Sequence, residues 1–156
     1  ISTEFNIEGN PIKRFIDLVC KIKPDQVTLV PDSIDAITSN SGWDTIKNKS
    51  FLEEVISEFK NNGIRTSVFV DTNLKLIEGA KLTGADRVEL YTESFAVNFQ
   101  KGNKDEINKY IATFILYACR CTARCPHSYA LTARNDGAGS ASRGMLSFRG
   151  RPGATS

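Results

Sequence analysis

Two glutamates stand inside otherwise apolar, extended stretches. Glu8 closes Glu4-Phe5-Asn6-Ile7-Glu8, and Glu89 lies in Arg87-Val88-Glu89-Leu90-Tyr91. A charge in a sheet packed on both faces is costly unless it points into a polar site. At the carboxyl end of a strand, such a carboxylate can take and return protons near neutral pH. Gly9, next to Glu8, would let a ligand approach closely. The competing role for Glu8 is an acid that complements a helix dipole. Alternation puts Arg87, Glu89 and Tyr91 on one face, so Glu89 points away from the helices. Its alternative is a structural salt bridge to a neighbouring strand. Asp71 reads as the cap of the helix that follows it.

The elements that must position these residues repeat four times. Extended runs are expected over residues 4–8, 26–30, 64–70 and 87–91, rich in β-branched residues. Helices are expected from Pro11 to Ile22, Phe51 to Asn61, around Leu74-Ile77-Ala80, and from Lys104 towards Tyr117. Ile12, Phe15, Ile16, Val19 and Ile22 make one apolar face of the first helix. Strand, helix, tight turn, strand argues parallel strands with crossover helices. Neither a dinucleotide nor a P-loop glycine motif is present, and the two strand glutamates favour part of a (β/α)8 barrel over an open sheet. Residues 31–44 are too long for a plain connector. Their Ser, Thr and Asn side chains, with Gly42 as hinge and Trp43 as cover, read as a lid or, failing that, a surface loop.

The 156 residues suffice for one domain with a core, and no apolar run could span a membrane. Ile1 reads as the start of a chain taken from inside a longer protein. Charge divides the chain in two. Residues 1–117 carry 14 basic and 17 acidic side chains, net −3, whereas residues 118–156 carry six Arg and one acid, net +5. Ile and Lys, common before residue 113, are absent from this tail, which is rich in Ala, Arg, Gly and Ser. The expectation is a partial barrel over 1–117 and an irregular, disordered or foreign, frameshift-like tail over 118–156. Cys20 reads as a buried structural thiol. Cys119, Cys121, Cys125 and His127 tempt a zinc reading, but their spacing matches no standard pattern. With no disulfide framework indicated, the reading is of a protein in a reducing cytoplasm.

At these same residues the chain resembles the pyridoxine 5'-phosphate synthase family of vitamin B6 biosynthesis. The resemblance rests on Phe5-Asn6-Ile7-Glu8, on Lys23-Pro24-Asp25-Gln26-Val27-Thr28-Leu29-Val30-Pro31, and on Thr38-Ser39-Asn40-Ser41-Gly42-Trp43-Asp44. Gly63-Ile64-Arg65-Thr66-Ser67-Val68-Phe69-Val70-Asp71 and Gly84-Ala85-Asp86-Arg87-Val88-Glu89-Leu90-Tyr91-Thr92 complete it. It implies strands three to six of a (β/α)8 barrel, octameric in the family. It also implies a cofactor-free transferase that condenses 1-deoxy-D-xylulose 5-phosphate with 3-amino-2-oxopropyl phosphate. The products would be pyridoxine 5'-phosphate, phosphate and water. Glu8 would be the general acid–base, Glu89 a stabiliser of a charged transition state, and Thr38 a ligand of the deoxyxylulose phosphate. The family's catalytic histidines and phosphate-binding loops have no counterpart here, so this stretch alone is expected to be inactive. Two alternatives stand beside it. One is another phosphosugar barrel enzyme, although no strand offers a Schiff-base lysine. The other is a nucleic-acid-binding role for the basic tail, disfavoured because its Arg residues lack a stacking platform.

Overall fold

The computed structural model describes residues 3–32, 41–124, 129–133 and 143–148, with side chains as far as residue 114. Four strand–helix units lead the chain. These are β1 (Asn6–Gly9) with α1 (Lys13–Ile22), β2 (Gln26–Leu29) with α2 (Lys49–Asn61), β3 (Arg65–Asp71) with α3 (Leu74–Leu82), and β4 (Arg87–Tyr91) with α4 (Glu93–Gln100). Then come α5 (Lys104–Arg124), β5 (Tyr129–Ala133) and β6 (Arg143–Phe148). The strands form one sheet in the order β1-β2-β3-β4-β6-β5. β1 to β4 are mutually parallel. β6 runs antiparallel to both β4 and β5. Consecutive parallel strands joined by helices are a partial (β/α)8 barrel, the expected fold class. The described parts of the tail are the end of α5 and a two-stranded pair on the edge of β4. That pairing satisfies backbone groups that β4 would otherwise present to solvent.

The helices cover the apolar face of the sheet. Val27, Leu29, Val68, Val70, Val88 and Leu90 pack with Val19 of α1, Leu52, Val55, Ile56 and Phe59 of α2, and Ile77 and Ala80 of α3. The 3.6-residue period delivers these residues to one side of each helix. Gly63, with φ +75°, turns the chain out of α2, a conformation glycine adopts without Cβ strain. α3 is capped by Asn73, whose side chain accepts the Lys75 N–H at 2.9 Å. Asp71 therefore does not cap α3; it sits two residues too early and binds elsewhere.

Asp86 ties the amino ends of the strands together. Its carboxylate accepts the Thr66 N–H and the Thr66 hydroxyl, both at 2.9 Å, and lies 3.3 Å from Lys60 Nζ. Thr66 is fully buried, so losing that acceptor orphans its amide. Asp86→Ala is expected to cost about 2 kcal/mol, and Asp86→Asn, which keeps an acceptor, about half that. Urea unfolding followed by fluorescence of Trp43, the single tryptophan, measures both.

Candidate active site

The face of β1–β4 turned away from the helices is polar. Cα register sorts its residues into rows that climb towards the carboxyl ends. Asn6, Gln26 and Arg65 form the lowest row. Glu8, Thr28, Ser67 and Arg87 form the next. Phe69 with Glu89, then Asp71 with Tyr91, complete it. In a barrel this face lines the interior, and the upper rows open onto the site built from the strand ends.

The lower rows are knitted together. Gln26 Oε1 accepts from Arg65 Nε at 3.0 Å and from Arg87 Nη1 at 2.7 Å. Glu4, just before β1, accepts from Arg87 at 2.8 Å and pairs with Arg65. One carboxylate and one amide thus gather guanidinium groups from β3 and β4 onto β1 and β2. Thr28 donates to Asn6 Oδ1 at 3.2 Å in the same region. Sequence reasoning asked for a partner to the inward-facing charges of β4 but did not find this cluster. Its signal is the Gln26, Arg65 and Arg87 set, each at the first position of its strand.

Glu89 takes the face that alternation predicts, and Glu8 lies on the same face. Glu8 is exposed and lies next to last in β1, which runs on to Gly9. Glu89 is buried, at 5% exposure, in the middle of β4. They stand one row apart and three interstrand steps apart, about 14 Å along the sheet. They would therefore act from opposite walls rather than as a touching pair. Thr38 falls within residues 33–40, outside the described residues. So do Cys125 and His127 of the zinc reading, and the side chains of Cys119 and Cys121 are likewise not described. Among the described residues no cluster of His, Cys, Asp and Glu could hold a metal. Cys20 is half-buried, and burial, then Glu58 and Asp17, push its thiol above the ordinary range.

Two glycine roles change on inspection. A Cβ on Gly9 would lie 2.3 Å from the Phe15 ring, so its small size admits α1 rather than a ligand. A Cβ on Gly42 would lie 2.3 Å from Val70 Cα and 2.4 Å from Asp71 N. Gly42 is not free to hinge: it is pressed against the end of β3. Its N–H donates to Asp71 Oδ1 at 3.3 Å, and the Trp43 N–H donates to Phe69 O at 2.8 Å. Trp43 itself is buried in the core against Phe51, with ring centroids 5.9 Å apart. It anchors the returning end of the 31–44 segment and does not cover the site. Asp44 then accepts the N–H groups of Lys47 and Ile46, and these bonds hold its carboxyl below the usual range.

At the rim, Tyr91 packs edge-on against Phe69 at 5.7 Å and donates its hydroxyl to Glu93. That hydrogen bond, then burial and the Glu93 charge, push the phenol up to about 12. The native state holds this proton more tightly than the unfolded chain does. The associated stability is complete below the ordinary phenol value near 10 and disappears as pH rises through about 12. Spectrophotometric titration at 295 nm should show one tyrosine ionising late. Glu93→Gln should bring it back towards 10; a late tyrosine that persists in that variant removes Glu93 as the cause.

The profile of the family described as "Pyridoxal phosphate biosynthesis protein PdxJ" matches residues 1–135. A pyridoxine 5'-phosphate synthase of Christiangramia forsetii is 66% identical over 110 residues, 70% of this chain and 46% of its own. The synthase of Flavobacterium johnsoniae is 65% identical over 111 residues, 71% and 47% respectively. That of Cytophaga hutchinsonii is 61% identical over 111 residues, with the same shares. The chain spans about half the length of the curated relatives it matches.

Proposed function

The chain belongs to the pyridoxal phosphate biosynthesis protein PdxJ family, and on that premise we propose that it is the strand-three-to-six portion of a pyridoxine 5'-phosphate synthase. The reaction would be the ring-closing condensation of 1-deoxy-D-xylulose 5-phosphate with 3-amino-2-oxopropyl phosphate. The observation that carries this reading is the shared polar face: Glu8 and Glu89 lie on it three strands apart, Glu8 level with Arg87 and Glu89 one row higher. Glu8, exposed on its strand, would exchange protons with a bound substrate. Glu89, buried beside Phe69, would act on charge that develops in the transition state, where low dielectric strengthens its effect. Thr38 would bind the deoxyxylulose phosphate.

This portion alone is proposed to be inactive, because the catalytic histidines and phosphate-binding loops that the resemblance implies belong to other strands. The whole enzyme would be a cytoplasmic homo-octamer acting on phosphorylated small molecules without metal or cofactor. No helix among the described residues is long and apolar enough to cross a membrane. Composition supports reading residues 118–156 as a foreign or frame-shifted extension. The test is direct: the chain is completed with the missing strands and assayed for ring formation from both substrates. Failure of a folded, completed chain to form the ring would sink the proposal.

A further inference from the structure

The two carboxylates of the polar face stand in unlike surroundings. Glu8 is exposed, and its register partner on β2 is Thr28, a hydroxyl. Glu89 is buried, and its register partner on β3 is Phe69, an aromatic ring. Tyr91 follows Glu89 by two positions, so it shares that face on the side of the carboxyl end. Its ring leans across to β3 and meets Phe69 edge-on, with centroids 5.7 Å apart and planes at 72°. The ring is held at both ends. Its hydroxyl donates to Glu93, in the first turn of α4. The Tyr91 carbonyl accepts the Thr72 hydroxyl at 3.0 Å. Phe69, fully buried, has no room to give way.

We propose that Tyr91 is a positioning residue for Glu89: its ring, with that of Phe69, closes the carboxyl-end side of this glutamate against water. The inference rests on the role proposed above for Glu89 and names what makes that role effective. A carboxylate acts on developing charge more strongly where water does not screen it. Substrate and solvent both arrive from the carboxyl ends of the strands, and on β4 that approach passes the Tyr91 ring. An aromatic face excludes water without competing for the carboxylate, while the phenol remains tethered at its polar tip. Glu93 is therefore the latch that fixes the angle of the ring, and Glu89 is the group that benefits.

The test is a double-mutant cycle in the chain completed with the missing strands. Tyr91→Leu is expected to lower kcat about tenfold and to leave KM for both substrates within about twofold. In a Glu89→Gln background the same change should cost less than about twofold, because no charge remains to be shielded. Tyr91→Phe keeps the ring and its contact with Phe69, and should retain kcat within about threefold. A residue that merely props the fold would slow both backgrounds equally. Emission from buried Trp43 reports that each variant keeps its core. If Tyr91→Leu loses that emission, Tyr91→Met carries the same test. Unchanged kcat in Tyr91→Leu, equal losses in the two backgrounds, or a rise in KM with kcat intact would each overturn the proposal. So would a Tyr91→Phe variant as slow as Tyr91→Leu, or loss of Trp43 burial with both Leu and Met. All of these leave the role of Glu89 standing. That role fails separately: if the completed chain forms no ring, or Glu89→Gln alone leaves kcat unchanged, the reading beneath the proposal falls and takes the proposal with it.

Discussion

Glu8→Gln, made in a chain completed with the missing strands, should lower kcat by about a thousandfold while leaving the thermal midpoint within a few degrees. A positioned proton-transfer group contributes roughly 10²- to 10⁴-fold to rate. Glutamine keeps the size and hydrogen-bonding of the side chain but cannot carry the proton. The small stability effect follows from position: Glu8 lies on the polar face and is not part of the core cluster. Glu89→Gln makes the contrast. It should slow the reaction about 10²-fold or more and also lower the midpoint, because Glu89 is buried in mid-strand. Steady-state kinetics with thermal melts separates the two. If Glu8→Gln retains near-normal kcat, the acid–base role moves to another group.

Gly42→Ala should be the most damaging single-methyl addition described here, at about 2–3 kcal/mol. The obstruction is backbone: Val70 Cα and C and Asp71 N all lie within 2.4 Å of the added carbon. A flexible side chain could swing aside, but a strand buried on both sides cannot. Relief requires the 41–43 segment to lift from β3, breaking the Gly42–Asp71 and Trp43–Phe69 hydrogen bonds. The expected signature is a lower urea midpoint together with a red-shifted Trp43 emission in the native baseline. Gly9→Ala makes a useful comparison. Its obstacle is the edge of the Phe15 ring, which can tilt, so about 1 kcal/mol is expected.

The fold was most legible where burial imposes a period. β3, β4 and α3 fall within a residue or two of their expected bounds because each shows a continuous apolar run or a clean helical face. α4 was missed for the complementary reason. None of its residues is buried, and its short apolar side, Phe95 and Phe99, gives periodicity little to reveal. The site was half legible. Alternation alone put Glu89 on the polar face and Glu8 at a strand end. The partners of a side chain are set by register between strands, which local sequence does not encode. Asp71 looks like a cap next to a helix, yet its hydrogen bond goes back 29 positions to Gly42. Trp43 looks like a loop aromatic available to cover a ligand, whereas the pocket it fills is made by distant core residues. The β4–β6 pairing joins segments more than fifty positions apart, and composition alone had suggested irregular chain there.

The cluster of Glu4, Gln26, Arg65 and Arg87 has one more implication, concerning how such a protein can change over generations. It sits at the amino ends of the strands, while Glu89, proposed for transition-state stabilisation, sits one row above Arg87 on the same face. For Glu89, cohesion and chemistry are thus written at different heights of one wall. A substitution of Gln26, Arg65 or Arg87 alters how firmly the strands are held together without touching a reacting atom. One near the upper rim can alter what is bound while the wall beneath it stays knit. The two properties can therefore drift separately, and a lineage can accept a costly change at the rim after a stabilising one at the floor.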